Sequence, residues 1–170
     1  SVVHDRPKIL AQVMGSPFLT YLLDQISTAG ASKVILCTGY LGGMLHEVYG
    51  DVYKSLHLLY SQENEPLGTG GALRLALPLI ESDHVLVMNG DSYVWTDLNR
   101  YMDWFFQIDR KVSLLLVKVT DTSRYGMVKV EENNSVAVFE EKEKAKGAGW
   151  INAGVYCMKT SLLKLIPEGK

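Results

Sequence analysis

The sequence predicts an α/β domain with a mixed, mostly parallel central sheet flanked by helices and a small antiparallel extension. Three observations support this prediction. Strand-length apolar runs alternate with helical stretches from residue 18 to residue 108. These runs are continuously apolar, as in parallel strands that are buried on both faces. After residue 112, strand-like runs follow one another without a full helix between them, which favours antiparallel pairing.

The helices are predicted from apolar residues at helical spacing. The first has Phe18, Tyr21, Leu22 and Ile26 on one face and stops at Gly30, a residue typical of helix ends. The predicted helices are Phe18–Ala29, Met44–Tyr49, Gly68–Leu79 and Leu98–Ile108, with a short final helix over Thr160–Ile166.

The strands are predicted from short apolar runs that glycine or polar residues terminate. The predicted strands are Lys33–Thr38, His57–Ser61, His84–Met88, Val112–Val119, Gly126–Val130, Val136–Phe139 and Ile151–Met158.

Composition limits the kind of protein. The 170 residues fit one domain (1–170), and an apolar fraction of 47% with 21% charged residues is typical of a globular protein. A net charge of −2 argues against nucleic acid or a membrane surface as partner. Cys37 and Cys157 each lie in an apolar run, so we expect small core residues and free thiols, which fit a reducing cytoplasm.

Two loops at predicted strand ends are candidates for chemistry, because ligands of open α/β sheets bind beyond the carboxyl ends of strands. The first, Glu65–Ala72 (EPLGTGGA), joins a strand to a helix. Its glycines allow close approach to a ligand, and the helix start offers free N–H groups. The alternative is a glycine-rich helix start with Thr69 as the capping residue.

The second candidate is Asn89-Gly90-Asp91, which closes the most apolar predicted strand. A carboxylate at that place can hold Mg²⁺ against phosphate oxygens. The alternative is an ordinary turn, in which Asn-Gly is common.

These loops belong to a longer series of segments that occur in a recognisable order. The segments are Arg6–Lys8, Gly15–Leu19, Glu65–Ala72, Asn89–Asp91, Arg124–Gly126, Phe139–Lys142 and Trp150–Tyr156. On these segments the chain resembles the sugar-1-phosphate nucleotidyltransferases over essentially its whole length. The resemblance is nearest to bacterial heptose-1-phosphate and mannose-1-phosphate guanylyltransferases.

The resemblance implies a Rossmann-like nucleotidyltransferase fold and a reaction between an NTP and a sugar 1-phosphate. The products would be pyrophosphate and an NDP-sugar for cell-surface polysaccharide or glycoconjugate synthesis, with Mg²⁺ as cofactor. The sugar phosphate oxygen attacks the α-phosphorus directly, so no protein nucleophile is needed. Two alternatives are a non-catalytic regulatory or binding module of the same fold and a nicotinamide-dependent oxidoreductase. The absence of a Gly-x-Gly-x-x-Gly after a strand disfavours the latter.

The resemblance also implies residue roles. Lys8 would contact the NTP phosphates, although alone it would be taken for a surface lysine, and Asp91 would bind Mg²⁺. The nucleotide side would comprise Glu63, Pro66, Leu67, Gly68, Thr69, Asn89 and Gly90. The sugar-phosphate side would comprise Gly126, Glu141, Lys142, Asn152 and Gly154, with Lys142 at the phosphate and Glu141 and Asn152 at the hydroxyls.

Some family features are missing, so the resemblance implies a domain that is incomplete at both ends. The family's Gly-Gly-x-Gly-Thr-Arg-Leu loop would precede Ser1, and its second metal-binding aspartate would follow Lys170. A strand in the middle of the sheet would be missing with the loop, so this chain alone is expected to fold poorly or to be inactive. Ser16 stands where many relatives carry a lysine, and Ile9 and Gln12 where prolines are usual.

Glu63 offers a prediction about the base. A carboxylate only accepts hydrogen bonds, and guanine presents two adjacent donors where uracil presents one donor between two acceptors. Glu63 therefore favours GTP, with CTP and UTP behind. Alternatively, Glu63 is a solvated loop residue, and Gln62 or backbone groups read the base. A homo-oligomer is possible.

Overall fold

A computed structural model describes residues 7–39, 42–142 and 144–168 of the chain. The helices are α1 (Phe18–Thr28), α2 (Gly42–Tyr49), α3 (Gly68–Ala76) and α4 (Leu98–Gln107). The strands are β1 (Gln12–Val13), β2 (Ser16–Pro17), β3 (Lys33–Thr38), β4 (Val52–Tyr53), β5 (Leu56–Gln62), β6 (His84–Met88), β7 (Val112–Val119), β8 (Met127–Val130), β9 (Val136–Glu140) and β10 (Gly149–Lys159). The 3₁₀ turns are Lys8–Leu10, Leu77–Leu79 and Thr160–Leu165, the last in place of the predicted final helix.

The strands form a small hairpin, β1–β2, and two larger sheets. In the three-stranded sheet, of order β3-β5-β4, strands β3 and β5 are parallel. The five-stranded sheet has the order β6-β10-β8-β9, with β7 also paired to β10, and its pairings are antiparallel. The predicted α/β class with mixed sheets is confirmed. Parallel pairing is less extensive than predicted, because β10 pairs with β6 in the opposite direction.

Strands β3 and β6 each have one free edge. Within the described ranges, β3 pairs with β5 alone and β6 pairs with β10 alone. Backbone hydrogen bonds therefore link the strands from β6 to β9. Among the described residues, they do not link β6 to β3.

Apolar side chains hold the two sheets together. One core cluster joins α1 to β5 through Leu22, Leu23 and Leu58. The other joins α4 to β10, and Ile26 and Met88 pack against both clusters. Because Met88 is the last residue of β6, the strand end that precedes Asn89-Gly90-Asp91 is anchored in both cores.

The cysteine prediction holds for only one of the two residues. Cys157 is buried in β10 and packs with the α4 cluster. Cys37 is exposed, so its assignment to the core was wrong; its Sγ lies 3.8 Å from the Ala72 carbonyl oxygen on α3. Both thiols are free. In the described ranges, no helix is long and apolar enough to cross a bilayer.

Candidate active site

A bulge in β10 forms the centre of the candidate site. The register with β7 shifts between Asn152 and Tyr156, so β10 carries extra residues there. The Asn152 side chain closes this bulge. Its Oδ1 accepts a hydrogen bond from the Gly154 N–H (2.9 Å), and its Nδ2 donates to the Tyr156 hydroxyl (2.6 Å). Sequence reasoning placed Asn152 and Gly154 in the site, but missed the hydroxyl of Tyr156.

The bulge contacts the end of β6. The Asn89 N–H donates to the Gly154 carbonyl oxygen (2.7 Å). Gly154 has a φ of +75°, and a Cβ added there would lie 2.8 Å from Asn89 Nδ2. Glycine at position 154 thus provides both a left-handed backbone and room for the Asn89 side chain. The network from Asn152 through Gly154 to Asn89 fixes the strand end that carries Asp91.

The turn that begins with Lys8 packs on the same end of β6. A Cβ at Gly90 would lie 2.9 Å from Ile9 Cδ1, so the 3₁₀ turn Lys8–Leu10 packs directly on Gly90. Lys8 and Asp91 are both exposed and flank this contact. Arg6 of the same motif lies outside the described residues. The two residues predicted to be catalytic are therefore the chain neighbours of two residues, Ile9 and Gly90, that are in contact.

Among the described residues, the Asp91 carboxylate accepts a single hydrogen bond, from the Ser92 hydroxyl (3.3 Å). No group of three or more His, Cys, Asp and Glu residues in the described ranges forms a ready-made metal site. This donor set fits Mg²⁺, which proteins often hold with one or two carboxylates while substrate phosphates and water supply the rest. Asp91 would hold the ion.

The other residues predicted for the sugar side flank the β8–β9 hairpin. Gly126 has a φ of +81°, and a Cβ there would lie 2.7 Å from the Glu140 carbonyl oxygen. This close approach brings Gly126 against the segment that contains Glu141 and Lys142, both exposed. Glu140 instead forms an ion pair with Lys129 on the hairpin. Its neighbour Glu141 is exposed and forms no ion pair with the described residues.

Strand register places three of these residues at one end of neighbouring strands. Strand β10 pairs with β8 at Trp150 and Val128, and β8 pairs with β9 at Met127 and Glu140. Gly126 directly precedes β8, and Glu141 directly follows β9. Asn152 lies two residues beyond Trp150 on β10, toward the same end of these antiparallel strands.

The predicted nucleotide loop lies at the carboxyl end of the parallel pair β3–β5. Glu63 follows β5, and its backbone N–H donates to the Thr38 carbonyl oxygen (2.9 Å). Its carboxylate is half-buried, and Oε2 accepts the Leu67 N–H (3.2 Å) just before α3. The Glu63 carboxylate is thus not freely solvated. One of its oxygens stabilises the loop, so part of its hydrogen-bonding capacity is already used before a ligand binds.

The start of α3 does not match the alternative in which Thr69 caps the helix. The residue at the N-cap position is Leu67, with no side-chain capping hydrogen bond, so Thr69 does not cap the helix. Pro66, Gly68 and Thr69 are exposed, which leaves this loop open to a ligand. No hydrogen bond between described residues joins this loop to the β10 bulge.

A groove of about 540 Å³ lies at the other end of β6, beside His84, Lys159 and Lys164. It contains none of the residues predicted for the site.

Gly154→Ala is expected to lower the free energy of unfolding by about 1–3 kcal/mol and to displace Asn89, because the substitution adds both backbone strain and a close contact. Gly147→Ala is the matched control. Gly147 has a similar φ of +77° but no atom within 4 Å of an added Cβ. Chemical denaturation of both variants separates the cost of backbone strain from the cost of the close contact with Asn89. Equal destabilisation would mean that the Asn89 contact contributes nothing.

These features define a class of protein: an α/β domain with an open glycine-containing loop after parallel strands, and a lysine and a carboxylate at the next strand end. Such an arrangement suits binding and reaction of phosphorylated ligands. The chain belongs to the nucleotidyl transferase family, whose model matches residues 2–169.

Relatives and solved structures agree with this assignment. The chain is 34% identical over 158 residues to D-glycero-alpha-D-manno-heptose 1-phosphate guanylyltransferase of Campylobacter jejuni, covering 93% of this chain and 69% of that protein. It is 34% identical over 165 residues to mannose-1-phosphate guanylyltransferase of Mycobacterium tuberculosis, covering 96% of this chain but 46% of the relative. The crystal structure of HddC from Yersinia pseudotuberculosis with GMP-PN matches with a TM-score of 0.87 and 31% identity, over all of this chain and 75% of that one.

The resemblance to sugar-1-phosphate nucleotidyltransferases and the predicted fold class are therefore confirmed. The chain spans about half the length of the mycobacterial relative and about 70% of the Campylobacter one.

Proposed function

We propose that the protein containing this chain transfers GMP from GTP to a hexose or heptose 1-phosphate and releases pyrophosphate. The observation that carries this proposal is that the Lys8–Leu10 turn and the Asn152–Gly154 bulge both pack on Asn89-Gly90, directly before Asp91, in a family member whose relatives are guanylyltransferases. The GMP-PN complex of HddC supports a guanine nucleotide.

Each residue has a role in this reaction that follows from its position. Lys8 places positive charge beside the phosphates, where negative charge grows as the α-phosphorus is attacked. Asp91 would hold Mg²⁺, which supplies further positive charge to the phosphate oxygens. The sugar phosphate is itself the nucleophile, so Lys142 serves to bind and orient that phosphate, while Glu141 is placed to accept hydrogen bonds from sugar hydroxyls.

Asn152 has a different role in this proposal from the one that the sequence suggested. Its amide already bonds to the Gly154 N–H and the Tyr156 hydroxyl, so its first function is to hold the bulge. A sugar hydroxyl would meet only the remaining capacity of that amide, one lone pair and one N–H.

Glu63 is proposed to select guanine. Each carboxylate oxygen has two lone pairs, so Oε2 can accept the Leu67 N–H and still receive a donor from the base. The loop hydrogen bond also fixes the orientation of the carboxylate before the nucleotide binds, which reduces the entropy lost on binding.

Glu63→Gln is expected to lower the GTP/UTP ratio of kcat/KM by a factor that corresponds to about 1–3 kcal/mol, because the charged acceptor pair is lost. The glutamine oxygen can keep the Leu67 N–H bond, so the loop is preserved. Glu63→Ala removes both interactions and shows the cost of losing the loop anchor. A parent that prefers UTP, or a ratio unchanged in Glu63→Gln, would contradict the assignment.

Pyrophosphate release by the full-length protein, measured across a grid of NTPs and sugar 1-phosphates with and without Mg²⁺, tests the proposed reaction. The expected result is highest kcat/KM with GTP and a manno-configured sugar 1-phosphate, and dependence on Mg²⁺. Binding of GTP without turnover in any combination would favour a non-catalytic module. We also propose a cytoplasmic location, where free thiols stay reduced. Sedimentation of the same sample tests for a homo-oligomer.

A further inference from the structure

An apolar row, formed by Trp150, Val128 and Phe139, lies next to the end of the five-stranded sheet where Asn152, Gly126 and Glu141 are located. The strand registers pair Lys118 with Trp150, Trp150 with Val128, and Val128 with Phe139. These four side chains therefore share one face of the sheet. Lys118 Nζ lies 5.9 Å from the Trp150 ring centroid, which agrees with that arrangement.

The apolar row is exposed in an unusual pattern. Val128, in the middle, is only 4% exposed, whereas its two neighbours Trp150 and Phe139 are 40% and 60% exposed. Trp150 and Phe139 thus present apolar surface to solvent on either side of a buried valine. Exposed aromatic surface beside polar groups is typical of ligand-binding grooves.

This surface lies beside Asn152, one of the residues predicted for the sugar side. Side chains alternate along a strand, so Trp150 and Asn152, which both precede the bulge in β10, project in the same direction. The two residues are about 7 Å apart along the strand, and the three strands β10, β8 and β9 span about 10 Å across. This face points away from α4, since Leu115 projects from the opposite face to Leu116, the partner of Asn152, and packs with that helix.

We propose that Trp150 and Phe139 form an aromatic platform that contacts the ring of the sugar 1-phosphate and contributes to selection of the acceptor. This inference rests on the proposed function. In this arrangement, the rings cover the apolar C–H surface of the sugar, while Glu141 and the remaining hydrogen-bonding capacity of Asn152 meet its hydroxyls.

Kinetics of the full-length protein provide the first test. Trp150→Ala and Phe139→Ala are each expected to raise KM for the sugar 1-phosphate about three- to tenfold, the loss expected for one aromatic contact, with little change in KM for GTP. Trp150→Phe is expected to retain most of the affinity. Phe106→Ala is the matched control, because Phe106 is 59% exposed but lies on α4, outside this face. Thermal melting checks that each variant is folded.

Intrinsic fluorescence provides a test that does not depend on turnover, since Trp150 is one of three tryptophans in residues 1–170. Titration with mannose 1-phosphate, with and without GMP-PN, is expected to change the emission of the parent and of Trp104→Phe but not that of Trp150→Phe. Absence of pyrophosphate release by the parent would refute the proposed function. In that case the titration would still test whether Trp150 contacts the sugar phosphate. Emission changes that persist in Trp150→Phe, or variants that alter oligomeric state with unchanged sugar KM, would overturn the platform.

Discussion

Asp91→Asn in the full-length protein is expected to reduce Mg²⁺-dependent turnover by at least about a hundredfold while leaving the fold intact. Asp91 is exposed at the end of β6, and its described hydrogen bonding is limited to the Ser92 hydroxyl, so the fold gains little from its charge. The site depends on that charge, because a neutral amide is a poor ligand for a hard divalent cation. Asparagine preserves the size of the side chain, which makes the loss of charge the main change.

The measurement is pyrophosphate release as a function of Mg²⁺ concentration, together with the melting temperature. Asp103→Asn, an exposed aspartate on α4, serves as the control for a loss of one surface charge. Unchanged activity and magnesium dependence in Asp91→Asn would remove this residue from the metal site.

Lys8→Ala is expected to lower kcat/KM by about a hundredfold or more, equivalent to about 2–4 kcal/mol of lost transition-state stabilisation. Stability is expected to change little, because the turn is held by backbone hydrogen bonds from Leu10 to Pro7 and from Ala11 to Lys8 and by the buried Leu10 side chain. The lysine side chain itself is exposed.

Lys8→Arg tests whether charge alone suffices, and Lys164→Ala removes an exposed lysine that lies at the opposite end of β6. Steady-state kinetics at saturating Mg²⁺ report the effect. If Lys8→Ala remains within about threefold of the parent, as expected for an ordinary surface residue, the lysine does not act on the phosphates.

The long, continuously apolar elements were predicted well. Strands β3 and β6 coincide with the predicted Lys33–Thr38 and His84–Met88, and α1 differs by one residue from its predicted end. Short apolar runs of this length are typical of strands, and their limits are set by the polar residues around them. The two-residue strands β1, β2 and β4 were not predicted, because a period of two is not visible in two residues.

The motifs identified which residues meet, but not what their side chains do. Asn152 and Glu63 appeared available for ligands, yet each forms a hydrogen bond to a nearby backbone N–H. These bonds depend on the bulge in β10 and on the turn before α3. Both are local irregularities that add residues or change φ without altering the hydrophobic pattern from which the elements were predicted.

The position of β10 in the sheet has a consequence for biosynthesis. This strand pairs with β6, β7 and β8, yet it is made after all of them. Its last residue leaves the ribosome roughly 75 residues after the start of β6, an interval of about 4–15 seconds at common translation rates. During that time the apolar strand His84–Met88 lacks its described partner, so the nascent chain carries an aggregation-prone segment that a chaperone is expected to bind until β10 arrives.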